Sequence, residues 1–143
     1  APARQGSPPA NSNELMFSFS EAQLAGLLAD RDKIASAFSS IQFFQGYFFK
    51  LQLELFSFGV LCVHLHLEEH KEPSISPKAV HLGYSISYAG SIQFAGREWF
   101  IQGCGWGGKE AFTGSTFNSM ADFERIMGDD RRLTFKCKLD RIR

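Results

Sequence analysis

The chain has 143 residues, close to the usual size of one domain, and 44% of them are hydrophobic, which excludes a largely disordered chain. Its 15 Lys and Arg balance 15 Asp and Glu. That balance argues against nucleic acid or an anionic membrane as the main partner, because both favour a basic excess. The 15 Phe, against 2 Trp and 3 Tyr, favour a sheet-rich domain in which two layers face each other.

The beginning of the chain divides into a polar leader and the start of a domain. Residues 1–12 are small, polar and proline-bearing, so we predict a disordered leader or linker, followed by one domain over 13–143. Within that domain, the apolar alternation of Leu15–Phe19 predicts a short strand. The capping-box pattern of Ser20–Gln23 then predicts a helix over 21–29.

The middle of the chain alternates with a period of two, the pattern of half-buried strands. Strands are predicted over Lys33–Phe38, Phe48–Leu55, Val60–Leu67 and Val80–Ala89. The charged cluster Glu68–Glu72 predicts a loop before the last of these. Antiparallel neighbours with one buried face each follow from this pattern.

Two glycine-containing segments come next. Ile92–Phe94 and Glu98–Ile101 predict a hairpin that turns across Ala95–Arg97. Gly103–Gly108 contains four glycines around a tryptophan and predicts an irregular loop.

The chain closes with a helical turn, a tight turn and a strand. Ala121–Met127 predicts the helical turn, Gly128–Arg131 the tight turn and Arg132–Ile142 the last strand. The total is about seven or eight short strands with one or two short helical turns. We therefore predict an all-β fold, an antiparallel β-sandwich.

Three cysteines, Cys62, Cys104 and Cys137, are too few for a disulfide scaffold and have no C-x-x-C spacing for structural zinc. The sequence has no secretory signal pattern and no apolar run long enough to span a membrane. We therefore expect an intracellular protein, cytoplasmic or nuclear, with reduced thiols. Because the chain begins without Met, we also expect it to be a piece of a longer protein.

The histidines of 64–70 are candidates for a metal site, and the glycines of 103–108 are candidates for a phosphate site. His64 and His66 share one strand face and could reach one metal ion, but His70 falls in the charged loop and no fourth ligand is apparent. The glycines of 103–108 lack the spacing of phosphate-binding loops. A solvent-facing strand and a glycine turn are the favoured interpretations, so we predict no metal and no cofactor.

The same residues give little indication of catalysis. Cys104 lies in the glycine-rich segment, but the sequence shows no base to activate its thiol. Ser85 and Ser87 lack a nucleophile-elbow motif. We predict that the domain is not an enzyme. Trp106, set between glycines, is either a core residue or an exposed anchor for a ligand, and the core position is favoured.

An ordered series of segments resembles the MATH (meprin and TRAF homology) domain, also called the TRAF-like domain. The match runs over residues 13–142 and is nearest to the branch found in BTB-containing cullin-3 adaptors. Its most specific part is the W-G segment followed later by D-D-x-x-L-T-F-x-C. The segments are Ala37–Ser40, Phe48–Leu53, Val60–Glu68, His81–Ser87, Trp99–Phe112 and Gly128–Cys137.

The resemblance implies a function as well as a fold. Members of this family are antiparallel β-sandwiches of about eight strands that bind extended peptides of partner proteins by β-augmentation. It implies a non-catalytic module, the substrate-recognition domain of a ubiquitin-ligase adaptor or of a signalling adaptor. No nucleic acid or membrane partner is expected, and an oligomer would form through other domains.

The resemblance also implies where a peptide would bind. Of the five positions that line the groove in the adaptor branch, only Trp106 keeps its residue type, and Glu98 introduces a charge. Trp99 and Phe100 could form a different pocket, or Trp99 could simply pack. The predicted peptide-binding residues are Val60, Leu82, Glu98, Trp99, Cys104, Trp106 and Gly108. The alternative is a structural or oligomerising domain that packs on a neighbouring domain of the same chain.

Overall fold

The structure, a computed structural model, describes residues 13–29, 34–68, 79–101, 103 and 105–142, with the backbone alone for 105–108. These residues form nine strands and two short helices. In chain order they are β1 (Glu14–Ser20), α1 (Glu21–Ala29), β2 (Ala35–Phe38), β3 (Gln42–Phe44), β4 (Tyr47–Leu55), β5 (Leu61–Leu67), β6 (Ala79–Tyr88), β7 (Ser91–Ile101), β8 (Gly105–Glu110), α2 (Met120–Glu124) and β9 (Arg132–Arg141).

The strands form two antiparallel sheets, so the predicted all-β sandwich is confirmed. One sheet has the order β1-β9-β6-β7, and the other has the order β2-β4-β5-β8 with β3 also paired to β4. The strand β7 is the last in its sheet and β8 the last in the other. The short segment between them therefore crosses from one sheet to the other at one side of the sandwich.

The core lies between the sheets and is built mainly of leucine and phenylalanine. The five phenylalanines that the alternation predicts to be buried are all fully buried, namely Phe17, Phe19, Phe49, Phe100 and Phe135. Phe49 of β4 and Phe100 of β7 meet edge to face across the two sheets, with ring centroids 6.1 Å apart. Such contacts stabilise the sandwich beyond the area they bury.

The two predicted helical segments are confirmed. At the start of α1 the Ser20 N–H donates to Gln23 Oε1 at 2.9 Å, and the Gln23 N–H donates to Ser20 Oγ at 3.2 Å. This reciprocal pair satisfies amides that the first helical turn would otherwise leave without partners. Leu24 and Leu27 then bury one face of the helix against the core.

The predicted hairpin across Ala95–Arg97 is wrong, because Ser91–Ile101 is one continuous strand. It pairs with β6 over its whole length, and Gly96 lies opposite Tyr84. A Cβ at position 96 would lie 3.2 Å from the Tyr84 hydroxyl oxygen. The glycine therefore accommodates a tyrosine on the neighbouring strand, and it does not mark a turn.

The irregular loop predicted at Gly103–Gly108 is also largely wrong. Gly105–Glu110 forms β8 and pairs with β5, with an irregularity in register between Val63 and Leu65. The partner strand supplies the hydrogen bonds that hold this glycine-rich stretch extended, and the local sequence does not reveal that partner. The predicted leader at 1–12 and the charged loop beyond Glu68 lie outside the described residues.

The short strand β3 was not predicted. It pairs with the same edge of β4 as β2 does, and between the two strands Ser39 bonds to Leu51 of β4. The Ser39 N–H donates to the Leu51 carbonyl, and Ser39 Oγ accepts the Leu51 N–H, each at 2.9 Å. The Ser39 side chain thus takes the place of a backbone acceptor for the Leu51 N–H, and pairing with β4 resumes at β3. Across the described residues, no helix is long and apolar enough to cross a membrane.

Candidate functional site

One side of the sandwich presents two strand edges together. Among the described residues, β7 pairs only with β6 and β8 only with β5. The Phe112 N–H donates to Gln93 Oε1 at 2.7 Å, and the Gly103 N–H donates to the Leu67 carbonyl at 2.9 Å. These two bonds tie the sheets together at the two ends of this side, which we call the β7–β8 edge.

Most of the predicted peptide-binding residues lie at or near the β7–β8 edge. Glu98 and Trp99 are in β7, and Trp106 and Gly108 are in β8. The backbone of Trp106 pairs with Leu65. Val60 comes directly before β5, beside the point where the Ala111 N–H donates to the Leu61 carbonyl just past β8.

Two other candidates are in the core, and one lies outside the described residues. Leu82 is 1% exposed, and Phe100 is fully buried. Their side chains fill the space between the sheets, so a ligand could reach them only if the core opened. Cys104 lies outside the described residues, and its predicted place in the groove stays a prediction.

Glu98 lies on the inner face of β7. It is opposite Leu82 of β6, and Phe100, two positions further along the strand, is fully buried. Side chains two apart in a strand share a face, so Glu98 points toward the same side as these core residues. Because β7 is an edge strand, the carboxylate remains half-buried at the margin of the core.

Glu98 has no ion-pair partner in the part of the chain that the structure describes. It does affect Tyr84. Burial raises the pKa of the Tyr84 hydroxyl, and the charge of Glu98 raises that pKa further. The edge therefore presents, at the border of an apolar core, a carboxylate that forms no ion pair with the residues that the structure describes.

Trp99 lies on the outer face of the same strand. Its ring stacks on His81 of β6, with centroids 4.8 Å apart and planes 7° apart, and 58% of the residue is exposed. Arg97 is on this outer face as well, two positions away along the strand. Two consecutive residues of β7, Glu98 and Trp99, thus present a carboxylate on one face and a large ring on the other.

A second surface, on the outer face of the five-stranded sheet, was not predicted. Its exposed apolar residues are Phe38, Phe43 and Phe48. Phe43 and Phe48 are opposite each other in β3 and β4, with ring centroids 5.2 Å apart. The sequence signal was an aromatic residue at an outward position of β4, where the alternation otherwise places polar residues. We call Phe38, Phe43 and Phe48 the aromatic patch.

The patch continues into a row of polar side chains. Lys50 Nζ lies 4.3 Å from the centroid of the Phe38 ring and 2.5 Å from Glu68 Oε1. Further along the face, His66 Nε2 and Gln52 Oε1 are 2.6 Å apart, and His64 pairs with Glu54. A shallow cavity of about 170 Å³ opens beside Lys50, His66 and Glu68.

The polar row makes stability sensitive to acid through His66. Burial lowers the pKa of His66, and the charges of His64 and Lys50 lower it further. The unfolded chain therefore binds more protons at this residue than the folded chain does once the pH falls below about 6.5. Protonation of His66 therefore costs no folding stability above that pH. The domain loses stability as the pH decreases from about 6.5 through the lower pKa of the folded state.

We expect His66→Gln to lose less stability than the parent protein between about pH 7 and pH 5. Glutamine cannot titrate but can still contact Gln52. Urea unfolding of both proteins at the two pH values measures the difference. The same pH dependence in both would show that the unfolded and folded states protonate His66 alike.

The described thiols and histidines form neither a reactive nucleophile nor a metal-binding group. Cys62 and Cys137 are buried free thiols, and burial raises the pKa of both. A thiol in that environment is a poor nucleophile, because only the thiolate attacks. Within the described part of the chain, no three His, Cys, Asp or Glu side chains are grouped to hold a metal ion. His70 lies outside that part.

Comparisons with known proteins give no family for this chain: neither the protein-family models nor the curated sequences contain a match.

Proposed function

We propose that this domain is a non-catalytic recognition module that binds an extended segment of a partner protein at the β7–β8 edge. The observation that carries the proposal is the free edge of β7. Ser91–Ile101 is 11 residues long and, among the residues that the structure describes, pairs on one side only. An edge strand of that length offers a row of backbone donors and acceptors to an added strand.

The surroundings of this edge support a selective site. An added strand derives its affinity from backbone hydrogen bonds and its specificity from the side chains beside the edge. Here those side chains include a half-buried carboxylate and an exposed tryptophan, Glu98 and Trp99. Edge strands that only avoid pairing are usually short, bulged or covered. β7 is long, and its register is regular over most of its length.

The resemblance to the MATH domain supports the same class of function. It rests on an ordered series of motifs and implies a two-sheet antiparallel sandwich that binds peptides. On this proposal the module recognises substrates for a ubiquitin-ligase adaptor, or tails of receptors for a signalling adaptor. It acts in an intracellular compartment.

A peptide array, followed by hydrogen exchange on the complex, tests the proposal. We expect bound peptides to protect the amides of Ser91–Ile101 and to lose binding when alternate peptide nitrogens are methylated, since methylation removes the donors that an added strand needs. Methylation of the intervening nitrogens, which face away from β7, is the matched control. Binding that survives both patterns, or protects another edge, would contradict β-augmentation here.

The aromatic patch favours a second candidate, a structural domain that packs on a neighbouring domain. Three large apolar side chains between 43% and 54% exposed lie on one sheet face, and contiguous exposed apolar surface marks an interaction site. The same hydrogen-exchange experiment on a longer chain distinguishes the two. Protection of β2–β4 by the added domain, with β7 unchanged, would favour the structural role.

A further inference from the structure

Resting on the proposed function, we infer that the β7–β8 edge selects a segment in which a basic residue lies next to an aromatic one. The basic side chain would pair with Glu98 and the aromatic side chain would extend the Trp99–His81 stack.

The first half of the inference comes from the position of Glu98. A strand added beside β7 places one residue directly opposite Glu98, on the same inner face, with Cβ atoms about 5 Å apart. That neighbour would be shielded from water by the core residues around Leu82 and Phe100. An apolar or acidic residue there would leave the carboxylate unpaired in a more buried place. Lys or Arg satisfies it, with the long stem packed on apolar surface.

The second half comes from Trp99. The next residue of an added strand lies opposite Trp99 on the outer face, because successive side chains alternate. His81 covers one face of the Trp99 ring at 4.8 Å, and Trp99 is still 58% exposed. Since β7 is the edge, that exposed surface includes the side away from His81. An aromatic ring on the added strand would complete a three-ring row across the sheet.

The rival explanation is that Glu98 protects the edge strand β7 from pairing with other chains. A charge that points inward on an edge strand also discourages pairing with a second copy of the chain. The two explanations differ in what happens when the charge is reversed: a recognition residue should reverse the choice of partner, whereas a protective residue should not.

The test uses peptides with an alternating Thr/Val host sequence and a central Phe-Lys-Phe. Because this triplet is symmetric, a Phe is opposite Trp99 whichever way the added strand runs. The matched peptides carry Phe-Glu-Phe and Ser-Lys-Ser. Binding is measured by fluorescence anisotropy at low and high salt. We expect Phe-Lys-Phe to bind roughly tenfold more tightly than either, and its advantage over Phe-Glu-Phe to shrink as salt rises.

Two variants of β7 make the assignment specific. Glu98→Lys should reverse the preference in favour of Phe-Glu-Phe. Trp99→Ser should bind Phe-Lys-Phe no better than Ser-Lys-Ser. The controls are Glu14→Lys, a charge change on the opposite edge of the same sheet, and Phe43→Ala, which removes an exposed ring from the other sheet. Both should keep the preference of the parent.

The outcomes separate this inference from the proposed function. If all three peptides bind the folded domain equally, β-augmentation stands and the inference is wrong. If none binds, both fall. If Glu98→Gln forms dimers and gains affinity for every peptide alike, Glu98 protects the edge from pairing, and the inference is overturned.

Discussion

Phe135→Ala will destabilise the domain by about 3–5 kcal/mol, the largest effect that we expect from a single truncation. Phe135 is fully buried in β9. Its ring centroid lies 6.3 Å from that of Phe19 and 5.9 Å from that of Phe112. Removing the ring leaves a cavity among aromatic side chains that cannot collapse without breaking their own contacts. Urea unfolding monitored by circular dichroism measures the loss.

Phe58→Ala is the matched control for this truncation. Phe58 is 66% exposed in the turn between β4 and β5, where it stacks on Phe56. The same change of residue should therefore alter the free energy of unfolding by no more than about 0.5 kcal/mol. Comparable losses at the two positions would mean that the aromatic core described here does not hold the sheets together.

Gly59→Ala is expected to cost about 2–3 kcal/mol, the second largest effect. Gly59 has a φ of +94°, which alanine adopts only with strain. An added Cβ would also lie 2.9 Å from Asn118 Oδ1 and 3.1 Å from the Thr116 Cβ. The Phe117 N–H donates to the Gly59 carbonyl at 2.8 Å, so the turn before β5 and the segment before α2 cannot simply move apart.

Gly90→Ala separates the cost of backbone strain from the cost of steric contact. Gly90 has a φ of +83°, and an added Cβ there would meet nothing within 4 Å. It should cost only the strain of the backbone, about 1 kcal/mol. Equal losses at Gly59 and Gly90 would show that contact with Asn118 and Thr116 contributes nothing. Thermal or urea unfolding of the two variants decides this.

The strands that the sequence predicts best are those whose alternation reports burial directly. From Phe49 to Leu55 in β4 and from Leu133 to Leu139 in β9, every second residue is apolar and nearly or fully buried, so the local pattern and the tertiary environment agree. The start of α1 could be predicted as well, because its capping box is formed by residues close together in the chain. In each case the signal and its cause lie within the same short segment.

The two wrong predictions, the hairpin and the glycine-rich loop, concern glycines whose conformation depends on a neighbouring strand. The glycine at position 96 predicts a turn, but it lies within β7, where an added Cβ would be 3.2 Å from the Tyr84 hydroxyl oxygen of the neighbouring strand. Gly105–Gly108 was interpreted as a loop, but β5 holds it extended. Pairing between strands depends on residues distant in sequence, and no local pattern reports it.

At the candidate site, too, the sequence identified residues but not their environment, which depends on strand pairing. The sequence singled out Glu98 and Trp99, but it could not distinguish the faces on which they lie. Their roles differ because β7 is an edge strand. One face of that strand borders the core, and the other carries the ring of His81.

By itself, the sequence determined the class of fold, the burial of five phenylalanines at alternating strand positions and the start of the first helix, because alternation and capping act over a few residues. Only the tertiary structure decided which strands are edges, and it placed Leu82, a predicted peptide-binding residue, in the core. The balanced charge of the whole chain said nothing about the Glu98 carboxylate at the β7–β8 edge. Composition averages over the surface, whereas binding depends on which side chains the fold brings to one place.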